Sequence, residues 1–310
     1  MIEKDKPNMT ATRFISAIGT PLDEDGALHV PGLEAHMEDQ WQAGIDGLLV
    51  AGTMGMMQMQ TDETYRRLVE EAANLASGRG EVMIGVGDAS FARTRDRIKF
   101  VNRHRVDAVV VLTPYFIPFT QEDLVDYFLA LADFSRHPLY LYDLPVMTGV
   151  KLEMETVLRV AEHPNIHGIK CSCEWDWTRQ LIERIGDRFR VIVAQPLKVD
   201  RLIREGVGEH LDGIFTAAPA WTVQLGRAAD AGDWSTAAAF QQRITQLLEV
   251  YGQFGGMPSY SAILNARGIP GNFAPAPYRP LSESRREQLL DHPLVRELVA
   301  DSFRPEYSPP

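Results

Sequence analysis

The chain is poor in cysteine, in positive charge and in long apolar runs. Its two cysteines among 310 residues, Cys171 and Cys173, stand too close in one extended segment for an ordinary structural disulfide, which predicts a reduced, cytoplasmic setting. No apolar run approaches the roughly 20 residues of a membrane span, and the polar residues 1–7 do not resemble a secretory signal. The net charge of -11 disfavours nucleic acid or an anionic membrane as a partner.

Metal ligands and phosphate-binding glycines are also scarce. The eight histidines include no His-x-His pair, and His163 and His167 straddle Pro164 rather than one helix face, so we expect no bound metal. The segments 194–196 and 217–220, which follow the last two predicted strands, lack the glycines of a phosphate cradle. A phosphosugar substrate is therefore disfavoured.

Short β-branched segments alternate with longer amphipathic segments over most of the chain. This alternation predicts eight strands, each followed by a helix, and therefore an α/β fold of the (β/α)8 TIM-barrel type over residues 12–231. After Gly232 the strand signal stops, which predicts a small helical C-terminal unit over 232–303 and a disordered tail over 304–310. The predicted strands are 14–18, 47–50, 82–86, 108–112, 138–142, 166–170, 190–193 and 213–216. The predicted helices lie near 31–44, 62–76, 91–104, 121–134, 153–162, 175–185, 197–206 and 219–230, followed by 234–251, 259–266 and 282–300.

An ammonium group ends the apolar run 165–170, which the pattern predicts to be a buried strand. At the carboxyl end of a barrel strand, Lys170 would face the active-site mouth, where desolvation favours the neutral amine that a Schiff-base nucleophile needs. Alternation in the preceding strand places Tyr142 at the same rim, where a phenol can shuttle protons. Each residue also has a purely structural interpretation: a lysine that snorkels into solvent, and a rim tyrosine with a satisfied hydroxyl.

Glycines flank Thr53 directly after the second predicted strand. The run Gly52-Thr53-Met54-Gly55 predicts a tight turn whose backbone N–H groups can meet a carboxylate, although many βα loops are rich in glycine and the turn alone is a weak indication. Methionines also collect near the predicted mouth, either as flexible core filling or as an adaptable apolar wall for the substrate. They are Met54, Met56, Met57, Met59 and Met147.

Taken in order, these segments resemble the dihydrodipicolinate synthase / N-acetylneuraminate lyase family of class I, lysine-dependent aldolases. The matching motifs are Gly52-Thr53-Met54-Gly55, Leu141-Tyr142-Asp143-Leu144-Pro145, Thr148-Gly149-Val150-Lys151-Leu152, Gly168-Ile169-Lys170, Gly268-Ile269-Pro270-Gly271 and Arg279-Pro280-Leu281. The resemblance implies a homotetrameric barrel enzyme, a dimer of dimers, in which the amine of Lys170 condenses with pyruvate or another 2-keto acid. It implies no cofactor beyond that covalent imine. Tyr142 would be the proton shuttle, and Thr53 would position the shuttle and the carboxylate.

Several implied site residues depart from the family pattern. An aromatic pair after the fourth strand, here Tyr115 and Phe116, is expected to reach the neighbouring subunit's site, but the family's second tyrosine falls on Phe116. Met54 stands where the family usually has a second loop hydroxyl. Met147 stands where the synthase branch has a carboxylate-gripping arginine, as an apolar residue does in the sialic-acid lyase branch. The usual Ser-Gly after the seventh strand is Ala194-Gln195. We predict that the substrate-binding residues are Gly52, Met54, Gly55, Tyr115, Phe116, Met147 and Phe215, beside the catalytic Lys170, Tyr142 and Thr53.

Three functions are compatible with this pattern. The leading hypothesis is a Schiff-base lyase or aldolase, or a dehydratase, acting on a 2-keto acid. The second is a dihydrodipicolinate synthase with a remodelled acceptor site. The third is a catalytically weak barrel retained for ligand binding or regulation; the retained Lys170, Tyr142 and Thr53 argue against it, because a buried amine without a task costs stability.

Overall fold

Eight parallel strands close into a barrel in which each strand pairs with the next in sequence and the last pairs with the first. The computed structural model describes residues 11–76 and 78–301. The prediction of a (β/α)8 barrel with C-terminal helices is confirmed. The strands are β1 (Arg13–Ala17), β2 (Gly47–Val50), β3 (Glu81–Gly85), β4 (Ala108–Leu112), β5 (Leu139–Asp143), β6 (Ile166–Cys171), β7 (Arg190–Val193) and β8 (Glu209–Asp212).

Helices follow every strand and continue after the barrel. Several begin at a hydroxyl or carboxylate cap. At α4 the Thr120 hydroxyl accepts from the Asp123 N–H at 3.2 Å while the Asp123 carboxylate accepts from the Thr120 N–H at 2.8 Å, a complete capping box. None of the helices in the described parts of the chain is long and apolar enough to cross a membrane. The helices are α1 (Val30–Ala43), α2 (Asp62–Leu75), α3 (Phe91–Val101), α4 (Gln121–Phe134), α5 (Pro145–Thr148), α6 (Met154–Val160), α7 (Trp175–Ile185), α8 (Val199–Arg204), α9 (Pro219–Asp230), α10 (Trp234–Gln253), α11 (Met257–Ala266), α12 (Glu283–Asp291) and α13 (Pro293–Ala300).

The last strand lies four residues earlier than predicted. Residues 213–216 were expected to form it, but β8 is Glu209–Asp212 and Ile214–Thr216 form a short 3-10 helix. The Asp212 carboxylate accepts from the Ile214 N–H at 3.0 Å and turns the chain at that point. β8 was not found as an apolar run because three of its four residues are polar. The structure accommodates them, since Glu209 pairs with Arg190 and His210 packs on Phe14.

One further difference lies in the C-terminal part. The single helix expected over 282–300 is two helices, since Pro293 cannot donate a backbone hydrogen bond and starts a new helix after His292. The tail predicted over 304–310, like residues 302–303 of the C-terminal unit, lies outside the described residues.

Strand alternation separates two apolar layers. Inward-facing side chains such as Ile15, Leu49 and Ile192 fill the barrel, whereas the neighbouring residues on each strand pack outward against the helices. Gly168 leaves room on β6: a Cβ at this position would lie 2.6 Å from the ring of Tyr140. The missing side chain therefore lets a tyrosine ring fill the lower barrel.

Opposite charges occupy the amino-terminal end of the barrel. Arg190 donates to Glu81 at 2.8 Å and to Glu209 at 2.9 Å, and Arg13 donates to the same two carboxylates at 3.1 and 2.7 Å. Burial would raise the pKa of Glu81, but the guanidinium groups of Arg190 and Arg13 hold it below its ordinary value. The cluster joins β1, β3, β7 and β8, and Tyr140 of β5 contributes a hydroxyl 3.3 Å from Arg190. We call these five residues the barrel floor.

Removing the central guanidinium should destabilise the fold. In Arg190→Met the two carboxylates keep Arg13 but lose the more buried of their two shared guanidinium groups, so we expect the free energy of unfolding at pH 7 to fall by about 3 kcal/mol. Urea denaturation followed by circular dichroism measures this change. Arg179→Met removes an exposed helical ion pair with Glu183 and should change stability by no more than about 0.5 kcal/mol. Equal losses in the two variants would contradict a structural role for the floor.

Candidate active site

The carboxyl ends of the strands surround a cavity of about 660 Å³. Residues from the barrel rim form one wall and residues from the C-terminal helices form the other. Lys170 and Asp212 are the charged residues of the lining, and the other members are apolar or neutral polar. The lining consists of Ala17, Thr53, Met54, Tyr142, Leu144, Val146, Met147, Lys170, Ser172, Ala194, Asp212, Gly213, Ile214, Leu248, Tyr251, Gly255, Gly256, Met257, Tyr260 and Tyr278.

Lys170 reaches the cavity from the end of β6. Its residue is 5% exposed, and its Nζ lies 4.1 Å from the centroid of the Tyr142 ring. The two residues are register partners on neighbouring strands, so both side chains leave the sheet on its inner face. The amine therefore sits between an aromatic face and an open cavity, where a carbonyl carbon can approach it.

Tyr142 connects Lys170 to the loop after β2. The Thr53 hydroxyl lies 3.5 Å from the Tyr142 hydroxyl, at the long limit of a hydrogen bond. Such contacts in an empty site often tighten when substrate binds. Lys170, Tyr142 and Thr53, the three residues predicted to be catalytic, thus lie together at one point of the cavity wall.

The loop after β2 is a turn, as its glycines predicted, and two residues in it are strained. Ala51 and Met56 both have φ of 53°, in the left-handed region that costs energy for a residue with a side chain. Thr53 and Met54 line the cavity, whereas Gly52 and Gly55 shape the turn without lining it. Met54 lies against Gly213, where an added Cβ would come within 3.0 Å of the thioether sulfur.

The aromatic pair after β4 lies outside the cavity. Tyr115 packs partly buried against the inner cluster that contains Tyr142, and burial, then the charge of Asp88, raises the pKa of Tyr115. Phe116 is 90% exposed and has φ of 80°. Neither residue lines the cavity of this single chain.

Of two further predicted substrate-binding residues, Met147 borders the cavity and Phe215 does not. Met147, on the short helix α5, is 67% exposed at the cavity rim, where the prediction placed it. Phe215 is 1% exposed and packs edge-on against Phe14 with ring centroids 5.5 Å apart, away from the cavity. The expected substrate contact of Phe215 is not formed, because residues 214–216 turn outward as a 3-10 helix instead of ending a strand.

The sequence did not reveal Asp212, the acidic member of the lining. Burial raises the pKa of this carboxyl group, while the backbone N–H of Ile214 and the charge of Lys170 oppose that rise. The available signal was the carboxylate directly before Gly213, where a chain can turn. This signal was missed because the eighth strand was predicted over 213–216, after Asp212, whereas β8 ends at Asp212.

The C-terminal wall was also missed. Tyr260 of α11 is anchored by its hydroxyl, which lies 2.7 Å from the Thr216 hydroxyl and 3.2 Å from the Nε2 of His36. Burial and then Arg267 lower the pKa of His36 to about 3, so this histidine stays neutral. Gly255 and Gly256 have φ of 97° and 69° and leave the rim beside the wall open. No local pattern predicts that these helices meet the barrel mouth.

Metal ligands do not gather at this site or elsewhere in residues 11–76 and 78–301. No group of three or more histidine, cysteine, aspartate or glutamate side chains is arranged there to hold a metal ion.

Comparison with known proteins shows the family to which the chain belongs. The sequence profile described as the Dihydrodipicolinate synthetase family matches residues 10–292. The chain belongs to this family. A 4-hydroxy-tetrahydrodipicolinate synthase from an Exiguobacterium species is 31% identical over 281 residues, which cover 90% of this chain and 96% of that protein. The enzyme of the same name from Limosilactobacillus fermentum is 32% identical over 292 residues, 91% of each chain.

Solved structures of the dihydrodipicolinate synthetase family share the fold. Dihydrodipicolinate synthase from Bacteroides thetaiotaomicron superposes with a TM-score of 0.86 at 23% identity, covering 94% of this chain and 99% of that one. A prophage protein of the same family from E. coli K12, solved in complex with pyruvate, has a TM-score of 0.84 at 26% identity, covering 93% and 98%. The predictions of the family and of an enzyme with its Schiff-base chemistry are confirmed. Roles of individual residues stay predictions.

Tyr142 should be needed for turnover and not for folding. Tyr142→Phe removes the hydroxyl next to Thr53 and should lower kcat by roughly 10²–10⁴, the usual worth of general acid–base catalysis. Tyr140→Phe is a matched control, because Tyr140 lies two residues earlier on the same face of β5 and contacts the barrel floor. Steady-state kinetics on folded variants compares the two. Near-normal kcat in Tyr142→Phe would return this residue to a packing role.

Proposed function

We propose that this protein is a lysine-dependent aldolase or lyase in which Lys170 forms the imine with pyruvate or another 2-keto acid. The observation that carries the proposal is the position of the Lys170 amine, buried at the cavity wall with its Nζ 4.1 Å above the Tyr142 ring. A primary amine held out of bulk water beside a phenol is suited to nucleophilic attack on a ketone.

The chemistry needs one amine and one proton shuttle. The Lys170 nitrogen attacks the keto carbon, the tetrahedral adduct loses water, and the protonated imine remains. In a 4-hydroxy-2-keto acid, removal of the hydroxyl proton then breaks the bond between C3 and C4. An aldehyde leaves, and the electron pair of that bond moves into the enamine. Protonation at C3 and hydrolysis release pyruvate and the free amine. Because the protonated imine accepts the electron pair, we propose that no metal or other cofactor is required.

The carboxylate end of the keto acid would lie at the loop after β2. Thr53 and Met54 line the cavity there. Thr53 would offer its hydroxyl, and backbone N–H groups of these two residues would be the further donors. The side chain of Met54 supplies no hydrogen-bond donor to a carboxylate. The backbone N–H groups therefore have to supply more of the hydrogen bonds to the substrate carboxylate than they would in a loop with two neighbouring hydroxyl side chains.

The other end of the cavity favours an uncharged substrate tail. Val146, Met147, Leu248 and Met257 line it with apolar side chains. Lys170 is the cation of the lining and is consumed in the imine, while Asp212 would repel a second carboxylate. We therefore propose cleavage, or dehydration, of a 2-keto acid with a neutral or hydroxylated tail, and little synthesis of dihydrodipicolinate.

A synthase with a remodelled acceptor site is the second candidate. The names of the relatives from Exiguobacterium and Limosilactobacillus fermentum, at 31% and 32% identity, favour it. Among residues 11–76 and 78–301, Lys170 is the one cation that lines the cavity, which argues against it. A catalytically weak barrel is disfavoured because Lys170, Tyr142 and Thr53 are brought together.

We also propose a homotetramer in the cytoplasm with a small-molecule substrate as its only partner. The largely exposed Phe116 and Ile117 beside the barrel mouth support a subunit contact, since large apolar side chains that stand together are costly in water. The two free cysteines are compatible with a reducing compartment. The mass of the protein in solution, by sedimentation equilibrium, is the quantity that tests the assembly.

Trapping the imine tests the proposed function. Incubation with millimolar pyruvate and sodium borohydride should link pyruvate covalently to Lys170, as intact mass and peptide mapping would show. Lys170→Ala should abolish the adduct. Lys198→Ala, which changes an exposed lysine in the loop after β7, should leave it intact. Unmodified protein after this treatment would favour the ligand-binding alternative or a different keto acid.

The tail of the substrate is tested at Met147. Burying a free carboxylate against a thioether costs several kcal/mol, so we expect negligible condensation of pyruvate with aspartate semialdehyde. Met147→Arg should raise that activity by placing a cation at the rim, while Met147→Leu, a neutral control of similar size, should not. A coupled assay gives kcat/KM for each. A value at or above roughly 10⁴ M⁻¹s⁻¹ for the unmodified protein would support the synthase instead.

A further inference from the structure

An ion pair between a buried carboxylate and a partly exposed ammonium group lies behind the imine-forming lysine. Asp143, the last residue of β5, is fully buried and pairs with the ammonium group of Lys151. Lys151 Nζ also lies 3.4 Å from the centroid of the Trp177 ring and 3.4 Å from the Cys173 sulfur. The Cys173 thiol donates to the Asp143 carboxylate at 2.8 Å. We call Asp143, Lys151, Cys173 and Trp177 the Asp143 cluster.

The cluster holds the two strand ends that carry the reactive groups. Asp143 pairs with Cys171 one position beyond the pairing of Tyr142 with Lys170. The Asp143 carbonyl also accepts from the Ser172 N–H at 3.0 Å. Because successive side chains on a strand point to opposite faces, the cluster lies outside the sheet while Tyr142 and Lys170 lie inside it.

The charges of the cluster act on the Lys170 amine because packed protein, rather than water, lies between them and screens the interaction only weakly. An unpaired carboxylate at Asp143 would stand on the order of 10 Å from Lys170 Nζ, given the side-chain lengths and the adjacent strands. At an effective dielectric constant of about 20, such a charge would still attract the ammonium form of the amine. The ammonium group of Lys151 cancels most of that field.

We propose that Asp143 and Lys151 are positioning residues whose opposite charges hold the ends of β5 and β6 in register and keep the field on Lys170 small. This rests on the proposed function only in naming Lys170 as the imine-forming residue. The Cys173 thiol adds no charge: its hydrogen bond with Cys171, then burial and the charge of Asp143, raise the pKa of Cys173.

Other titratable groups face Lys170 and stay constant in the test. Tyr142 comes from β5, Asp212 from β8, and Tyr251, Tyr260 and Tyr278 from the C-terminal wall. The partner of Lys170 on β7 is Ile192, which does not titrate. A difference between variants at positions 143 and 151 therefore reports the charges of the ion pair.

The test titrates Lys170 without any keto acid. Trace acetic anhydride is added to the folded protein between pH 6 and pH 10, and acetylation of the Lys170 peptide is measured by mass spectrometry. Lys151→Met leaves the Asp143 carboxylate unpaired, which favours the ammonium form of Lys170. The curve of Lys170 acetylation against pH should therefore move to higher pH by about 0.5–1 pH unit. Asp143→Asn should move it down, by less, because the freed ammonium of Lys151 is partly exposed and can turn to solvent.

The double variant and conservative changes separate charge from packing. Asp143→Asn combined with Lys151→Met should return the curve to within about 0.2 pH unit of the unmodified protein, and Lys151→Arg should do the same. Lys99→Met on the outer face of α3 is a matched control and should not move it. If Asp143→Asn does not fold by circular dichroism, Lys151→Met with its Lys151→Arg rescue decides the question.

The outcomes distinguish this proposal from the proposed function. Curves that do not move, or that move in the same direction in both single variants, would overturn the role of the ion pair. Curves that move as expected in a protein that forms no adduct with pyruvate and borohydride would support the ion pair and reject the proposed imine chemistry.

Discussion

The pairing of β5 with β6 is the constraint on which the rest of the site depends. It sets Tyr142 beside Lys170 on the inner face and Asp143 beside Cys171 on the outer face, so one register decides the positions of both the reactive groups and the charges behind them. A one-residue slip of β6 would place the amine among the helices, and a one-residue slip of β5 would place the Asp143 carboxylate in the cavity. The hydrogen bond from the Ser172 N–H to the Asp143 carbonyl extends this pairing just past the end of the strands.

Charged side chains have different environments at the two ends of the barrel. At the floor, Arg13 and Arg190 neutralise Glu81 and Glu209, so desolvated charges stabilise the closure and cannot react. At the mouth, Lys170 has an aromatic ring beneath it and a cavity above it, which leaves its nitrogen open to a carbonyl group. Between them lies an apolar layer that keeps water out of the barrel. The stable end and the reactive end are thus separated along the same strands.

Much of this could be predicted from local pattern. Seven of the eight predicted strands match the observed ones to within a residue or so, because apolar segments of parallel strands are buried on both faces and contrast with the amphipathic helices between them. Lys170, Tyr142, Thr53 and Met147 could be placed at the mouth because the ends of barrel strands meet there. The eighth strand escaped the prediction because three of its four residues are polar and give no apolar run, and Phe215 was misplaced with it.

The sequence by itself determined the barrel, the order of its elements and the identity of the amine at the end of β6, because periodicity and strand-end position are properties of neighbouring residues. The tertiary structure alone decided that Asp212 joins the cavity, that Tyr260 and the glycines at 255–256 border it, and that Lys151 neutralises Asp143. These contacts join residues far apart in the chain or on separate elements. These contacts form only when the strands close into the barrel and the C-terminal helices pack against it. The spacing of the residues along the chain therefore does not reveal that they lie close together in space.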